Sequence, residues 1–117
     1  MKLKAMNDES IDINGTSYRN AKIVCTRAEL DRIFSEGYEY DDADKIRYQW
    51  VLRFEGDNGE TIVTTIYDYK NYNESGLYID HIEEDELYAW NIGGNSDLSV
   101  TALALNMRKR KGNYVIV

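Results

Sequence analysis

Hydrophobic residues alternate most clearly between Lys45 and Phe54, where Ile46, Tyr48, Trp50, Leu52 and Phe54 take every second position and Lys45, Arg47, Gln49 and Arg53 stand between them. A period of two marks a strand with one buried face, so this stretch predicts the best-defined strand of the chain. Asp57-Asn58-Gly59 supplies a hairpin turn. The β-branched and aromatic run TIVTTIYDY, residues 61–69, predicts the antiparallel partner, with Ile62 and Ile66 competing against Val63 and Tyr67 for the interior. LYAWNI, residues 87–92, predicts a third strand carrying Tyr88, Trp90 and Ile92 on one face, and the three together predict a meander.

Elsewhere the period changes. Ile11 and Ile13 alternate with polar neighbours before Asn14-Gly15, which predicts a short hairpin near the start. Thr26 followed by Glu29 is a capping-box pattern and predicts a helix from about Arg27 to Ser35, with Gly37 closing it in the left-handed conformation. YEYDDADK, residues 38–45, and the stretch from Asn71 to Glu86 are acidic and read as loops, the second with Leu77 and Ile79 as an apolar anchor. Gly93-Gly94 reads as a corner into a second helix that Ser96 caps, Asp97 and the run Arg108 to Lys111 complement electrostatically, and Gly112 ends. Leu98, Ala102 and Leu105 mark its apolar face, and NYVIV predicts a last short strand. The expected fold is one α+β domain over residues 1–117, an antiparallel meander of three or more strands with two helices packed on one face. Trp50, Leu52, Phe54, Ile66, Trp90, Leu98 and Leu105 are its expected core.

Composition narrows the possibilities. A chain of 117 residues with 43% apolar content and 30% charge suits one globular domain. No apolar stretch reaches the roughly 18 residues a membrane span needs, and Met1-Lys2-Leu3-Lys4 leads into Asn7, Asp8 and Glu9 in place of a signal-peptide core, so a cytoplasmic protein is expected. The lone Cys25 forms no internal disulfide and fits burial as a small hydrophobe. Net charge is −7, yet four basic residues sit in Arg108 to Lys111; the rest of the chain, ten basic against 21 acidic residues, carries −11. Such a body disfavours direct binding of nucleic acid and favours a partner with a basic surface. An exposed strand edge leaves monomer and homodimer both open.

Candidate chemistry is sparse. A Gly-Gly turn entering a helix can hold an anion on backbone amides, but the lysine of a P-loop and the third glycine of a dinucleotide fingerprint are both missing. The ligand-binding alternative therefore rests on Gly93, Gly94, Asn95 and Ser96, with Asp68 and Lys70 on a neighbouring strand end; Asp68 and Lys70 equally fit an ordinary surface ion pair. His81 stands beside carboxylates, but no second imidazole or thiolate accompanies it, so no metal or cofactor and no catalytic residue is expected. Ten tyrosines are the more informative feature, since tyrosine is enriched where proteins bind partners. Tyr38, Glu39, Tyr40, Asp41, Asp42 and Asp44, with Tyr72, Tyr78, Glu83 and Glu84, form the expected acidic, tyrosine-rich contact surface, and Tyr67 and Tyr69 lie near further acidic residues.

The central block YQWVLRFEGDNGETIVTTIYDYK, followed by YAWNIGGNS, resembles an arrangement found in small bacteriophage accessory proteins: a Trp-x-x-x-Phe strand, a Thr-Ile-Tyr-Asp-Tyr-Lys strand and a Trp-x-Ile-Gly-Gly corner. Here these are Trp50 and Phe54, Thr65 to Lys70, and Trp90 to Gly94. The resemblance implies a viral accessory protein acting without catalysis by binding and inhibiting a host protein, such as a nuclease or a CRISPR or other defence effector, in the host cytoplasm. It carries over no site residues.

Overall fold

The structure is a computed structural model that describes residues 1–40, 45–69 and 81–117. In chain order the elements are β1 (Lys2–Met6), β2 (Ser17–Thr26), α1 (Arg27–Phe34), β3 (Tyr38–Glu39), β4 (Tyr48–Glu55), β5 (Thr61–Tyr67), β6 (Leu87–Gly94), α2 (Ser99–Lys109) and β7 (Val115–Ile116). Among the described residues the strands form one seven-stranded antiparallel sheet in the order β1-β4-β5-β6-β2-β7, with β3 also paired to β4. The domain is α+β, its central β4-β5-β6 meander covered on one face by both helices. No described helix is long and apolar enough to cross a membrane.

The β4-β5 hairpin follows the sequence pattern closely. Gly59 takes the positive φ that the turn requires (81°), and the Gly56 amide donates to the Glu60 carbonyl at 2.8 Å. Alternation then sets the faces: Trp50, Leu52 and Phe54 of β4, Ile62 and Ile66 of β5, and Trp90 and Ile92 of β6 enter the main core, whereas Val51 and Val63 pack with Ile11 on the other side of the sheet. The expected competition within β5 thus has both answers, one for each face. Strand β4 starts at Tyr48 and not at Lys45, because the carboxylate of Asp68 accepts the amides of Arg47 and Tyr48 at 2.8 and 2.9 Å and fixes the entry there.

The core centres on Trp90, which meets Trp50 edge to face at 5.0 Å and donates its indole N–H to the Cys25 carbonyl at 3.1 Å. Trp50 likewise donates to Asp31 of α1. Both indoles therefore bury their rings without orphaning a donor.

Helix α1 begins as expected, with the Thr26 hydroxyl accepting the Glu29 amide at 3.1 Å, but it closes differently. Ser35, at φ 66°, makes the left-handed step, and Asn7 reaches across to donate to the Phe34 carbonyl at 2.9 Å. Gly37 serves another need: a Cβ there would stand 2.6 Å from the Trp50 ring. At the end of α2 the left-handed residue is Lys111 (φ 54°), and the following Gly112 amide donates to the Met107 carbonyl at 2.8 Å.

Three expectations are corrected. The opening hairpin does not form; Asn14-Gly15 is a turn leading into β2, a ten-residue strand that pairs with β6 and β7, and Lys2–Met6 adds β1 at the edge of β4. Gly93 and Gly94 are the last two residues of β6 and not a loop, so the corner begins at Asn95. Leu98 and Leu105 are exposed (39% and 46%); the buried face of α2 is Ser99, Ala102, Leu103, Asn106 and Met107. Ser96 caps a turn ahead of the helix, its hydroxyl accepting the Leu98 amide and its carbonyl the Ser99 amide, so α2 starts later and rotated from the apolar stripe. Two polar residues can face the core because both are satisfied: Ser99 donates to the Val63 carbonyl at 2.8 Å and Asn106 to the Ala102 carbonyl at 3.4 Å.

Candidate functional site

With both helices on one face of the sheet, the opposite face is left to whatever its strands present. Its rows follow from the register. Gln49 pairs with Tyr67, Tyr67 with Asn91 and Asn91 with Lys22, which places four side chains in a line across β4, β5, β6 and β2. In the next row Thr65 pairs with Gly93, and Gly93 with Tyr18. Gly93 lacks a side chain and lets Thr65, Tyr67 and the Ser17 backbone close over it, and a cleft of about 540 Å³ opens on these two rows. Its walls are Ile13, Ile46, Tyr18, Tyr67 and Tyr69, and Thr16 and Ser17 complete the rim.

The double glycine has two separate reasons, one for each face. A Cβ at Gly94 would collide with the Ser99 side chain and lie 2.7 Å from the Val63 carbonyl, so Gly94 lets the first turn of α2 sit directly on the sheet. A Cβ at Gly93 would stand 2.5 Å from the Thr65 hydroxyl and 3.3 Å from the Ser17 carbonyl, on the cleft side. Neither glycine takes a positive φ. A strand glycine marking a close approach is the general pattern here.

Three polar side chains of the cleft make no side-chain hydrogen bond among the described residues. Gln49 is 8% exposed and Thr65 5%, yet neither side chain makes a hydrogen bond to another described residue, and the same holds for the half-buried Asn91. Their polar atoms open on the cleft and are not sealed in the interior, and donors and acceptors converging on one concave, mainly apolar cleft suit a polar ligand. Lys22 is the one charged residue among the described lining, and no described carboxylate lies within ion-pair distance of it. Burial pushes the Tyr67 phenol above its ordinary pKa, with Tyr18 and Tyr69 close enough to add to the effect.

The residues expected to bind a ligand at the corner separate. Gly93 belongs to the cleft. Asn95 instead extends the sheet: its side-chain carbonyl accepts the Val63 amide at 2.8 Å, and its own amide donates to Val63 at 3.2 Å. The Ser96 amide is taken by the Ser99 hydroxyl at 3.3 Å, while Arg19 closes on the Gly94 carbonyl at 2.7 and 3.0 Å. The corner amides that an anion would need are thus engaged within the fold at Asn95 and Ser96. Asp68 is 1% exposed and tied to the start of β4; burial raises its pKa above the ordinary aspartate value, opposed by its amide hydrogen bonds and by Arg47. It is a buried group that fixes the entry to β4. Lys70 lies outside the described residues.

Of the expected acidic contact surface, Asp41, Asp42, Asp44, Tyr72 and Tyr78 also lie outside the described residues. Tyr38 is half-buried against Ile11, Val51 and Val63; Glu39 is exposed and pairs with Arg47 at 3.3 Å, and Tyr40 is exposed. Glu83 and Glu84 are exposed, and His81 sits between Glu83 and the Tyr48 hydroxyl at 3.3 Å from each. Glu39 is the register partner of Tyr48, so both groups gather at one end of the sheet. Cys25 is fully buried, and burial, with Glu29 adding to it, pushes its thiol up to about 12, far from a reactive thiolate. Among the described residues no group of three or more His, Cys, Asp or Glu is placed to hold a metal. Compared with known proteins, the chain matches no family model, no curated protein and no solved structure.

Proposed function

We propose that this protein is a non-enzymatic binding protein whose working site is the cleft on the helix-free face of the sheet, where it takes up a small molecule. The observation that carries this reading is the set of polar side chains, Gln49, Thr65 and Asn91, that have no hydrogen-bond partner among the described residues and converge on a cleft of about 540 Å³ walled by tyrosine and isoleucine. A concave, mainly apolar pocket with a few convergent polar groups is the usual form of a small-molecule site. Its described lining holds no carboxylate, imidazole or thiol to serve as general base or nucleophile, which favours retention of a ligand over its conversion. Together with the resemblance to bacteriophage accessory proteins, this fits a protein that withholds a host small molecule.

The test is retention. Purified protein is incubated with deproteinised bacterial extract and passed through gel filtration, and the bound fraction is identified by mass spectrometry beside Asn91→Trp and Ser17→Trp. Both substitutions put a large ring into the cleft, the second from an exposed rim position. Retention by the parent protein and its loss in both variants is the expected result. Equal retention in all three, or none in the parent, removes the reading.

A second reading keeps the acidic surface as the working part. Glu83, Glu84, Asp85 and Glu86 are four consecutive exposed carboxylates beside the strongly exposed Leu87, an arrangement suited to a basic protein surface. Its test is a pull-down from bacterial lysate at low and high salt. A partner lost when Glu83, Glu84 and Glu86 become Gln supports it, and the absence of any salt-sensitive partner counts against it.

A further inference from the structure

The lining of the cleft states what kind of molecule it fits. Taking the small-molecule reading as its basis, we infer that the ligand is of the nucleoside monophosphate class, a planar nitrogen heterocycle carrying one anionic group, with the ring against Tyr18 and Tyr67 and the anion at Lys22.

Three independent observations converge on this chemistry. The first is charge. Lys22 is the one charged residue among the described lining of this cleft, and no described carboxylate forms an ion pair with it. An exposed ammonium at the mouth is a group that an anion can use. The second is hydrogen bonding. Gln49 and Asn91 each offer a carbonyl acceptor and an NH₂ donor, the complement to the mixed donor and acceptor edge of a nucleobase, and neither side chain is occupied by another described residue. The third is shape and stacking. Tyr18 and Tyr67 both line the cleft, and neither stacks on another aromatic ring among the described residues, so a base can stack on them.

The row order fixes the orientation. Gln49, Tyr67, Asn91 and Lys22 lie on four successive strands, so the amides and the ammonium are spread over three strand spacings, about 14 Å from end to end. A base stacked on Tyr67, its edge within reach of Gln49 on one side and Asn91 on the other, directs its sugar and phosphate along the row toward β2, where Lys22 is exposed and meets the anion at the mouth of the cleft. Affinity then comes from the ring, and selection of the charged form from Lys22.

Calorimetric titration tests the assignment, with the four ribonucleoside 5′-monophosphates, the matching nucleosides and inorganic phosphate as probes, against the parent protein, Lys22→Gln and Tyr18→Ala. At least one monophosphate should bind, about tenfold more weakly in Lys22→Gln and about 5- to 150-fold more weakly in Tyr18→Ala, while its nucleoside is indifferent to Lys22. Binding of the nucleoside as tight as that of the monophosphate, with Lys22→Gln unchanged, overturns the anion assignment. Binding by no probe, in a protein that still retains an extract component lost in Asn91→Trp, overturns the nucleotide class and leaves the cleft in place. If that retention fails as well, the cleft reading itself falls.

Discussion

Replacing Gly94 by alanine tests how α2 is seated on the sheet. The new methyl group meets the Ser99 side chain and lies 2.7 Å from the Val63 carbonyl. Ser99 cannot simply turn away, because its hydroxyl donates to the Val63 carbonyl at 2.8 Å and accepts the Ser96 amide at 3.3 Å. Losing the two hydrogen bonds costs about 1 kcal/mol each, and overpacking adds about 1–3 kcal/mol. Relief of the backbone entropy of a strand glycine returns about 0.5–1 kcal/mol. The net expectation is a loss of about 2–4 kcal/mol, which for a domain of this size lowers Tm by about 8–16 °C. Urea unfolding followed by tryptophan fluorescence reads this directly, since Trp50 and Trp90 are both buried, and the m-value should stay that of the parent. Gly93→Ala is the comparison: its methyl meets the Thr65 hydroxyl at 2.5 Å, the Tyr67 ring at 3.2 Å and the Ser17 carbonyl at 3.3 Å, the two side chains lie on the cleft side and can give, and it should cost about 1 kcal/mol. Equal losses for the two variants, or a Gly94→Ala protein as stable as the parent, would refute the assignment of one glycine to each face.

Asp68→Ala leaves the amides of Arg47 and Tyr48 without their acceptor and should cost about 2–4 kcal/mol at low pH and less at neutral pH, measured by urea unfolding. Asp68→Asn keeps a carbonyl for both. Because burial raises the Asp68 pKa in the fold, the parent's stability relative to Asp68→Asn is greatest below the unfolded aspartate range, near pH ~3.9, and falls as pH rises through the folded value; at neutral pH Asp68→Asn should match or exceed the parent, and a large loss there would contradict this. Cys25 should resist iodoacetamide at pH 8 in the native protein and react once guanidinium unfolds it, and rapid native labelling would contradict its burial. Asn95→Ala should cost about 1–2 kcal/mol through the Val63 amide, and no loss in thermal unfolding would show that amide to be satisfied otherwise.

The parts of the fold written locally were legible in the sequence. Alternation through Trp50, Leu52 and Phe54, the Asp57-Asn58-Gly59 turn and the Thr26 cap each depend on neighbours within a few residues, and the structure repeats them. Strand β2 was not legible because its first half is polar and its register shifts between Tyr18 and Ala21, where Asn20 takes φ 55° and the period of two is interrupted. The apolar stripe of α2 misled because Ser99 and Asn106 face the core, and whether a polar residue can be buried depends on partners that only the tertiary structure supplies. The cleft was hidden for a related reason. Lys22, Gln49, Thr65, Tyr67, Asn91 and Gly93 come from four strands and form no motif, so only the register brings them together. One signal was available: a glycine continuing the alternation of β6 points to a close approach on whichever face it occupies, and that face was the cleft's.

The most direct test of the central claim is a ¹H–¹⁵N correlation spectrum of the protein recorded with and without an excess of deproteinised bacterial extract. A small ligand seated in the cleft should shift the amides of Lys22, Thr65, Tyr67, Asn91 and Gly93 and leave those of Leu103 and Met107, under the opposite face, where they were. Shifts confined to Glu83 through Leu87, or an unchanged spectrum, would contradict it.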